Sequence, residues 1–161
     1  MEELQHNELG RWPREALYAL VPNMSVVDHA MEANATSPRV SLKALRELLG
    51  PVAKDGFVVI ALGNQRRQVP AKWFVELVFQ TRITEKTKAL ALERFKTKGI
   101  DLIKISGGDA GQPCTAHAGK VFSISGGSKK YPALSRLEAT GALKHIACKA
   151  FYVAFIEGLS R

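Results

Sequence analysis

The amino-acid sequence predicts an α+β protein, with a helical amino-terminal region over residues 1–54 and a small mixed domain over residues 55–161. Apolar residues recur at helical spacing before residue 50 and again over 71–98. Short β-rich runs occur at 57–62 and after residue 100. The chain has 161 residues, 46% of them hydrophobic, which is enough to bury a sizeable core.

The amino-terminal region divides into three segments. Apolar residues near helical spacing, with a proline suited to a first turn, predict a helix over 12–21. Residues 23–40 mix turn formers with short apolar stretches and predict a short helix or an irregular linker. Ser41 is a candidate N-cap for a third segment, a helix that ends at Gly50.

The second region is predicted to alternate short strands with helices. Its longest helix covers 71–98, where Phe79, Ile83, Thr87 and Leu90 fall on one face. The apolar run at 57–62 predicts a buried strand, which is followed by a turn and two arginines. Three further strands and one short helix complete the prediction: strands at 100–105, 121–124 and 150–156, and a helix at 131–140.

Both cysteines lie in short pairs with a histidine: Cys114 with His117, and His145 with Cys148. Two residues separate the members of each pair, so that a tight turn can direct both side chains at one metal ion. The 27 residues between the pairs add little cost, because loop-closure entropy grows only logarithmically with length. The spacing predicts one structural zinc ion per chain, held by Cys114, His117, His145 and Cys148.

A metal-free interpretation of the same residues stays open. Buried cysteines and histidines are common in cores, and packing of Val121, Phe122 and Phe151 would hold the turn without an ion. The glycine pairs at 107–108 and 126–127 follow strand candidates and open no helix. We therefore interpret them as turns and not as phosphate-binding loops.

Charge is distributed unevenly along the chain. Residues 1–63 carry a net charge of −2, whereas residues 64–161 carry +10. A basic half predicts a polyanion such as DNA, or an acidic protein surface, as partner, and a solvated basic face is the alternative. The charged amino terminus and the lack of an apolar run of about 18 residues predict a protein made and kept in a reducing cytosol, with no membrane partner.

From about residue 55 to residue 158 the order of these signals resembles the phage minor capsid proteins of the head-morphogenesis type, the Mu F-like minor head proteins. The resemblance rests on a Gly-Xaa-Xaa-Arg turn, a polar Thr-Arg pair on a helix, two glycine-bounded strands, the two ligand pairs and an aromatic tail. These signals occupy residues 63–66, 81–82, 99–106, 114–117, 119–126, 131–134, 141–148 and 151–158.

The resemblance implies a structural protein of the virion head that contacts the portal or the major capsid protein, with packaged DNA as a further partner of the basic half. It also implies that a structural zinc ion crosslinks the carboxy-terminal half of the chain. The chain departs from the family pattern in two places: His117 stands where the family has a second cysteine, and Ala150 where it often has a further histidine. The resemblance also implies that the helical amino-terminal region, which docks on the portal in longer members, is short here or is replaced by residues 1–54.

Two other functions remain as alternatives. A zinc-containing nuclease or toxin-like domain would need a histidine base, but both histidines of the pairs are assigned to zinc. A small zinc-knuckle protein that binds nucleic acid is the second alternative. For a protein partner, the expected apolar contacts are Trp12, Phe74 and Tyr152.

Overall fold

The structure, a computed structural model, describes residues 7–159. The two predicted regions extend to residues 1–6 and 160–161, which lie outside the described residues. Beyond a helical turn at residues 7–9, the described chain forms five α-helices and five strands. The helices are α1 (Arg14–Tyr18), α2 (Met24–Ala33), α3 (Pro38–Leu49), α4 (Ala71–Thr97) and α5 (Leu134–Ala139). The strands are β1 (Phe57–Leu62), β2 (Gln65–Pro70), β3 (Leu102–Ser106), β4 (Val121–Ser123) and β5 (Phe151–Ala154).

Two small antiparallel sheets accompany the helices, which confirms the predicted α+β class. β1 and β2 form a hairpin in which Val58 lies opposite Val69. The second sheet has the order β4-β3-β5, so β3 is its central strand. Two short 3-10 helices, Gly50–Val52 and Pro113–His117, lie in the connections.

Two hydrophobic cores share the long helix α4. The first core joins α1, α2, α3 and the β1–β2 hairpin to the first part of α4, around Phe74 and Ile60. The second core lies under the three-stranded sheet and includes Ile103 and Ile105, with Leu92 from α4 packed against it. A helix of 27 residues thereby connects two packed units.

Among the strands, β2 is the one that the sequence did not predict. Its first four residues, at 65–68, are glutamine and arginine, so the apolar alternation typical of a strand is missing. The strand forms because β1 offers a full ladder of partners, from Phe57 opposite Pro70 to Leu62 opposite Gln65. Only Val69 of β2 is buried, opposite the buried Val58.

The helix predicted after Ser41 begins earlier, at Pro38. Proline suits the first turn of a helix because its missing N–H has no partner there. Ser41 is therefore inside α3, where it is buried and its hydroxyl donates a hydrogen bond of 3.0 Å to the carbonyl of Asn34. The N-cap prediction for Ser41 was wrong.

On the face of α4 marked by Phe79, Ile83, Thr87 and Leu90, only Phe79 packs against the first core. Ile83 is 41% exposed and Leu90 53% exposed. The buried stripe instead includes Phe74, Thr81 and Lys88, which recur every seven residues. Because Thr81 and Lys88 are polar, the sequence shows no continuous apolar period along the packed face.

The three aromatic residues expected at a partner contact are core residues. Trp12 is 4% exposed, Phe74 is fully buried and Tyr152 is 9% exposed. Little of their surface is exposed for a partner contact in the folded chain. No helix among residues 7–159 combines the length and apolar character needed to cross a membrane.

Candidate metal centre

Three of the four predicted ligands converge in the structure. The donor atoms of Cys114, His145 and Cys148 all lie within 4.8 Å of one another, and all three residues are buried. In a tetrahedral zinc site with bonds of about 2.0 to 2.3 Å, neighbouring donors are separated by under about 4 Å. The cluster is therefore close to the size that a metal ion requires.

The loop that carries His145 and Cys148 is anchored by the amino-terminal segment. His145 forms an isolated antiparallel bridge with Pro13. The amide of Ile146 donates to the carbonyl of Trp12 at 2.9 Å, and the amide of Arg14 donates to the carbonyl of Lys144 at 3.1 Å. Contacts between residues at least 130 positions apart in sequence thus fix the backbone that carries the second ligand pair.

Helix α4 supplies a further anchor. The amide of Ala147 donates a 2.9 Å hydrogen bond to the hydroxyl of Thr81, which in turn donates to the carbonyl of Leu77 at 2.6 Å. Ala147 has φ of 52°, a left-handed conformation that non-glycine residues seldom adopt. This turn brings His145 and Cys148 to the same side, and the bond to Thr81 helps to offset its strain.

The imidazole of His145 is oriented as a metal ligand would be. Its Nδ1 lies 3.1 Å from the carbonyl oxygen of Ile146, which only accepts, so Nδ1 carries the proton. Nε2 then has a free lone pair, and it is buried without a hydrogen-bond partner. A carbonyl that holds the distal ring nitrogen is the usual outer-shell support of a histidine ligand.

The two thiols differ in protonation. The pKa of Cys148 is lowered mainly because Cys114 donates an S–H hydrogen bond to it, with a smaller contribution from the ammonium of Lys88. The pKa of Cys114 is raised, because donation to Cys148 and burial both favour its protonated form. The pair therefore holds one proton, and a metal ion bound by both thiolates would displace it.

Lys88 is a charged side chain that is buried in the core beside this cluster. It is 8% exposed, and its Nζ donates to the carbonyl of Leu143 at 3.0 Å and to Sγ of Cys148 at 3.4 Å. Lys88 forms no ion pair with a carboxylate among residues 7–159. A buried ammonium needs an anionic neighbour, and the thiolate of Cys148 is placed to supply it.

Cys114 reaches the cluster from the 3-10 turn Pro113–His117. The glycine at 108, with φ of 103°, passes directly beside its sulfur. A Cβ at Gly108 would lie 3.0 Å from Sγ of Cys114. Gly108 therefore makes room for the thiol of Cys114.

His117 is not part of the converging group. It stands at the end of the same 3-10 turn, half-buried, and lines a cleft that His145 also lines. Its role as the fourth ligand stays a prediction.

No protein-family model, curated protein or solved structure matches this chain. The assignment of the centre therefore depends on its geometry and donor chemistry.

Sequence reasoning did not find Lys88 or the anchoring role of Thr81. Their spacing could have indicated both roles. Thr81 and Lys88 follow Phe74 at intervals of seven residues, so they lie on the buried side of α4, where a core helix normally has apolar residues. A threonine and a lysine at such positions need buried partners, which are the amide of Ala147 and the thiol of Cys148.

Proposed function

We propose that this chain is a non-enzymatic structural protein stapled by one zinc ion, and that it serves as a minor capsid protein in the head of a tailed phage or phage-like particle. The convergence of two thiols and an unpartnered imidazole nitrogen within 4.8 Å is the observation that carries the zinc proposal. Thiolate and imidazole together form the donor set of structural zinc sites.

Cys114, His145 and Cys148 would hold the ion, with His117 as the predicted fourth ligand. Zinc would supply folding free energy, since it crosslinks a 3-10 turn to a loop more than 25 residues later in the chain. The nuclease alternative has less support. His145 belongs to the cluster, and the carboxylate of Asp101 accepts hydrogen bonds from the hydroxyl of Ser123 at 2.6 Å and the amide of Ser125 at 2.7 Å.

Elemental analysis of the purified chain tests the zinc proposal. We expect about one zinc per chain in protein never exposed to chelator. Cys148→Ser should lose the ion and, where free zinc exceeds the Kd about a thousandfold, about 4 kcal/mol of stability. His29→Ala is the control, because His29 is exposed on α2. A zinc content near zero in the intact protein would refute the proposal.

The proposed role in the particle is supported by the order of eight sequence segments, which resembles that of minor head proteins. Its test is sedimentation of the protein with portal or capsid assemblies at about 0.5 M salt, where exposed charge pairs are largely screened. We expect association to persist there, because a specific protein interface depends on apolar contacts. Loss of all association, with DNA binding retained at low salt, would refute docking and leave the zinc proposal standing.

A further inference from the structure

The β1–β2 hairpin has two open edges, because no third strand pairs with either of its strands among residues 7–159. Its loop consists of residues 63–64, which makes Leu62 and Gln65 a hydrogen-bonded pair. Such pairs recur at every second residue of an antiparallel ladder. The backbone N–H and C=O groups of Val59 and Ala61 therefore point away from β2, toward the outer edge of β1.

The hydrogen bonds of Phe57 support this direction. Phe57 is two residues before Val59, and its N–H and C=O exchange hydrogen bonds of 2.9 and 2.8 Å with Lys54, not with its β2 partner Pro70. This turn closes the outer edge of β1 only at its first residue. Within residues 7–159, nothing outside the hairpin bonds to the backbone of Val59 or Ala61. Their amides and carbonyls thus have no partners along an open edge.

The two edges of the hairpin differ in chemistry. On β2, the outward carbonyl of Arg66 already accepts a 2.8 Å hydrogen bond from the guanidinium of Arg67, and Pro70 has no N–H to donate. Proteins place charged residues and proline on edge strands that must not pair. β1, at residues 57–62, has neither a charged residue nor a proline. Of the two edges, that of β1 is therefore the one able to accept a further strand.

We propose that β1 pairs with β1 of a second copy of this chain, antiparallel about a two-fold axis beside Ile60. In this register Val59 lies opposite Ala61 of the second copy, and the two residues exchange a pair of hydrogen bonds. The two-fold axis repeats this exchange, so every free N–H and C=O group of both edges is satisfied. A shift of the register would leave some of these groups unpaired.

Side chains and charge also fit a second copy. Val59 is 48% exposed and Ala61 is exposed, and the pairing places each beside the other residue of the second copy, which removes apolar surface from water. The arginine-bearing β2 strands become the outer strands of a four-stranded sheet. At a strand spacing of about 4.8 Å they lie about 14 Å apart, beyond the Debye length of about 8 Å. Their like charges therefore oppose the pairing little.

This inference goes beyond the proposed role in the particle and does not depend on the metal centre. Sedimentation velocity of the intact protein tests it, at concentrations from about 1 µM to about 500 µM. We expect a concentration-dependent equilibrium between monomer and dimer. Ala61→Pro should raise the Kd of the dimer at least about tenfold, because the symmetry removes two hydrogen bonds at once. Gln68→Pro is the matched control, since Gln68 faces outward on β2 opposite Val59, and it should leave the Kd unchanged.

A second variant acts through the side chain and not through the backbone. Val59→Lys brings two ammonium groups close to the two-fold axis and should also raise the Kd, whereas Gln68→Lys should not. Hydrogen exchange should slow at the amides of Val59 and Ala61 as the protein concentration rises, but not at the amide of Gln68. Circular dichroism and zinc content of each variant establish that it is folded.

Three results would overturn the proposal. The first is a monomer over the whole concentration range, including the case in which Ala61→Pro abolishes sedimentation with capsid assemblies, which would assign the edge to a strand of another protein. The second is a dimer that Ala61→Pro and Val59→Lys leave intact. The third is growth beyond the dimer, because pairing about a two-fold axis occupies the β1 edge of both copies. None of these results bears on zinc content.

Discussion

At the scale of single residues, Lys88 joins the long helix to the candidate metal centre. Its ammonium donates to the sulfur of Cys148, while the same nitrogen donates to the carbonyl of Leu143. A zinc ion with two thiolates and an imidazole carries no net charge, so the ammonium is not repelled by the completed centre. A hydrogen bond to a ligating sulfur stabilises the thiolate that the metal requires.

Lys88→Met retains the length and burial of the side chain but removes this hydrogen bond. We expect zinc affinity to fall about tenfold or more, because outer-shell partners of metal ligands typically contribute that much. Competition with a chromophoric chelator measures the affinity. The thiolate charge-transfer bands of the cobalt-substituted protein should shift as well, which loss of packing alone would not cause.

Lys86→Met serves as control for that experiment. Lys86 lies on the same helix, but it pairs with Asp28 and Glu32 outside the centre. Unchanged zinc affinity and unshifted cobalt bands in Lys88→Met would show that Lys88 is only a packing residue.

At the scale of elements, an ion-pair cluster fastens α2 to α4. Arg82 donates to Asp28 through two nitrogens, at 2.7 and 2.6 Å, and also to Glu85 at 2.8 Å. The hydroxyl of Tyr18 donates to the same Glu85 at 2.8 Å, which brings in α1. The guanidinium of Arg82 holds the pKa of Asp28 below its usual value.

This lowered pKa determines how the contribution of Asp28 depends on pH. The stabilisation is fully present above the pKa of the unfolded chain, about 3.9, and is lost as the pH falls through the lower value of the folded chain. Asp28→Asn should therefore cost about 1 to 2 kcal/mol at pH 7. The difference from the parent should vanish toward about pH 2.

Urea unfolding at a series of pH values measures this difference. Glu47→Gln, at an exposed acid of α3 with no ion pair among residues 7–159, should show no such dependence. A penalty for Asp28→Asn that stayed constant down to the acid range would mean that the ion pair does not stabilise the fold.

At the scale of the whole molecule, the loop over 143–150 lies where the two cores meet. Ile146 and Ala147 belong to the first core, whereas Leu143, Cys148 and Ala150 belong to the second. A metal ion that orders this loop would therefore stabilise both cores together.

We expect chelation of zinc to loosen both cores at once. Hydrogen exchange measured by mass spectrometry should become faster in peptides from β3 and β5, and also in peptides that contain Trp12 and the first half of α4. Addition of zinc should restore the slow exchange. Faster exchange restricted to peptides from residues 102–154 would contradict this coupling.

The sequence by itself determined the α+β class, most of the helices and strands, and the two cysteine–histidine pairs from which the candidate ligands come. These are local signals: apolar period, turn residues and a two-residue spacing depend only on neighbours along the chain. It placed β1 but not β2, because a strand of arginine and glutamine is stabilised by its partner strand and not by its own pattern.

Only the tertiary structure decided which predicted ligands meet and what supports them. Cys114, His145 and Cys148 converge because Trp12 and Thr81 hold the backbone of a distant loop, and no spacing in the sequence records those contacts. The packed face of α4 could not be recognised from the sequence either, because two of its core positions are polar. Thr81 and Lys88 occupy them and form hydrogen bonds with that loop and with its cysteine. Long-range partners can make a polar residue stable in a core, and a local pattern cannot anticipate them.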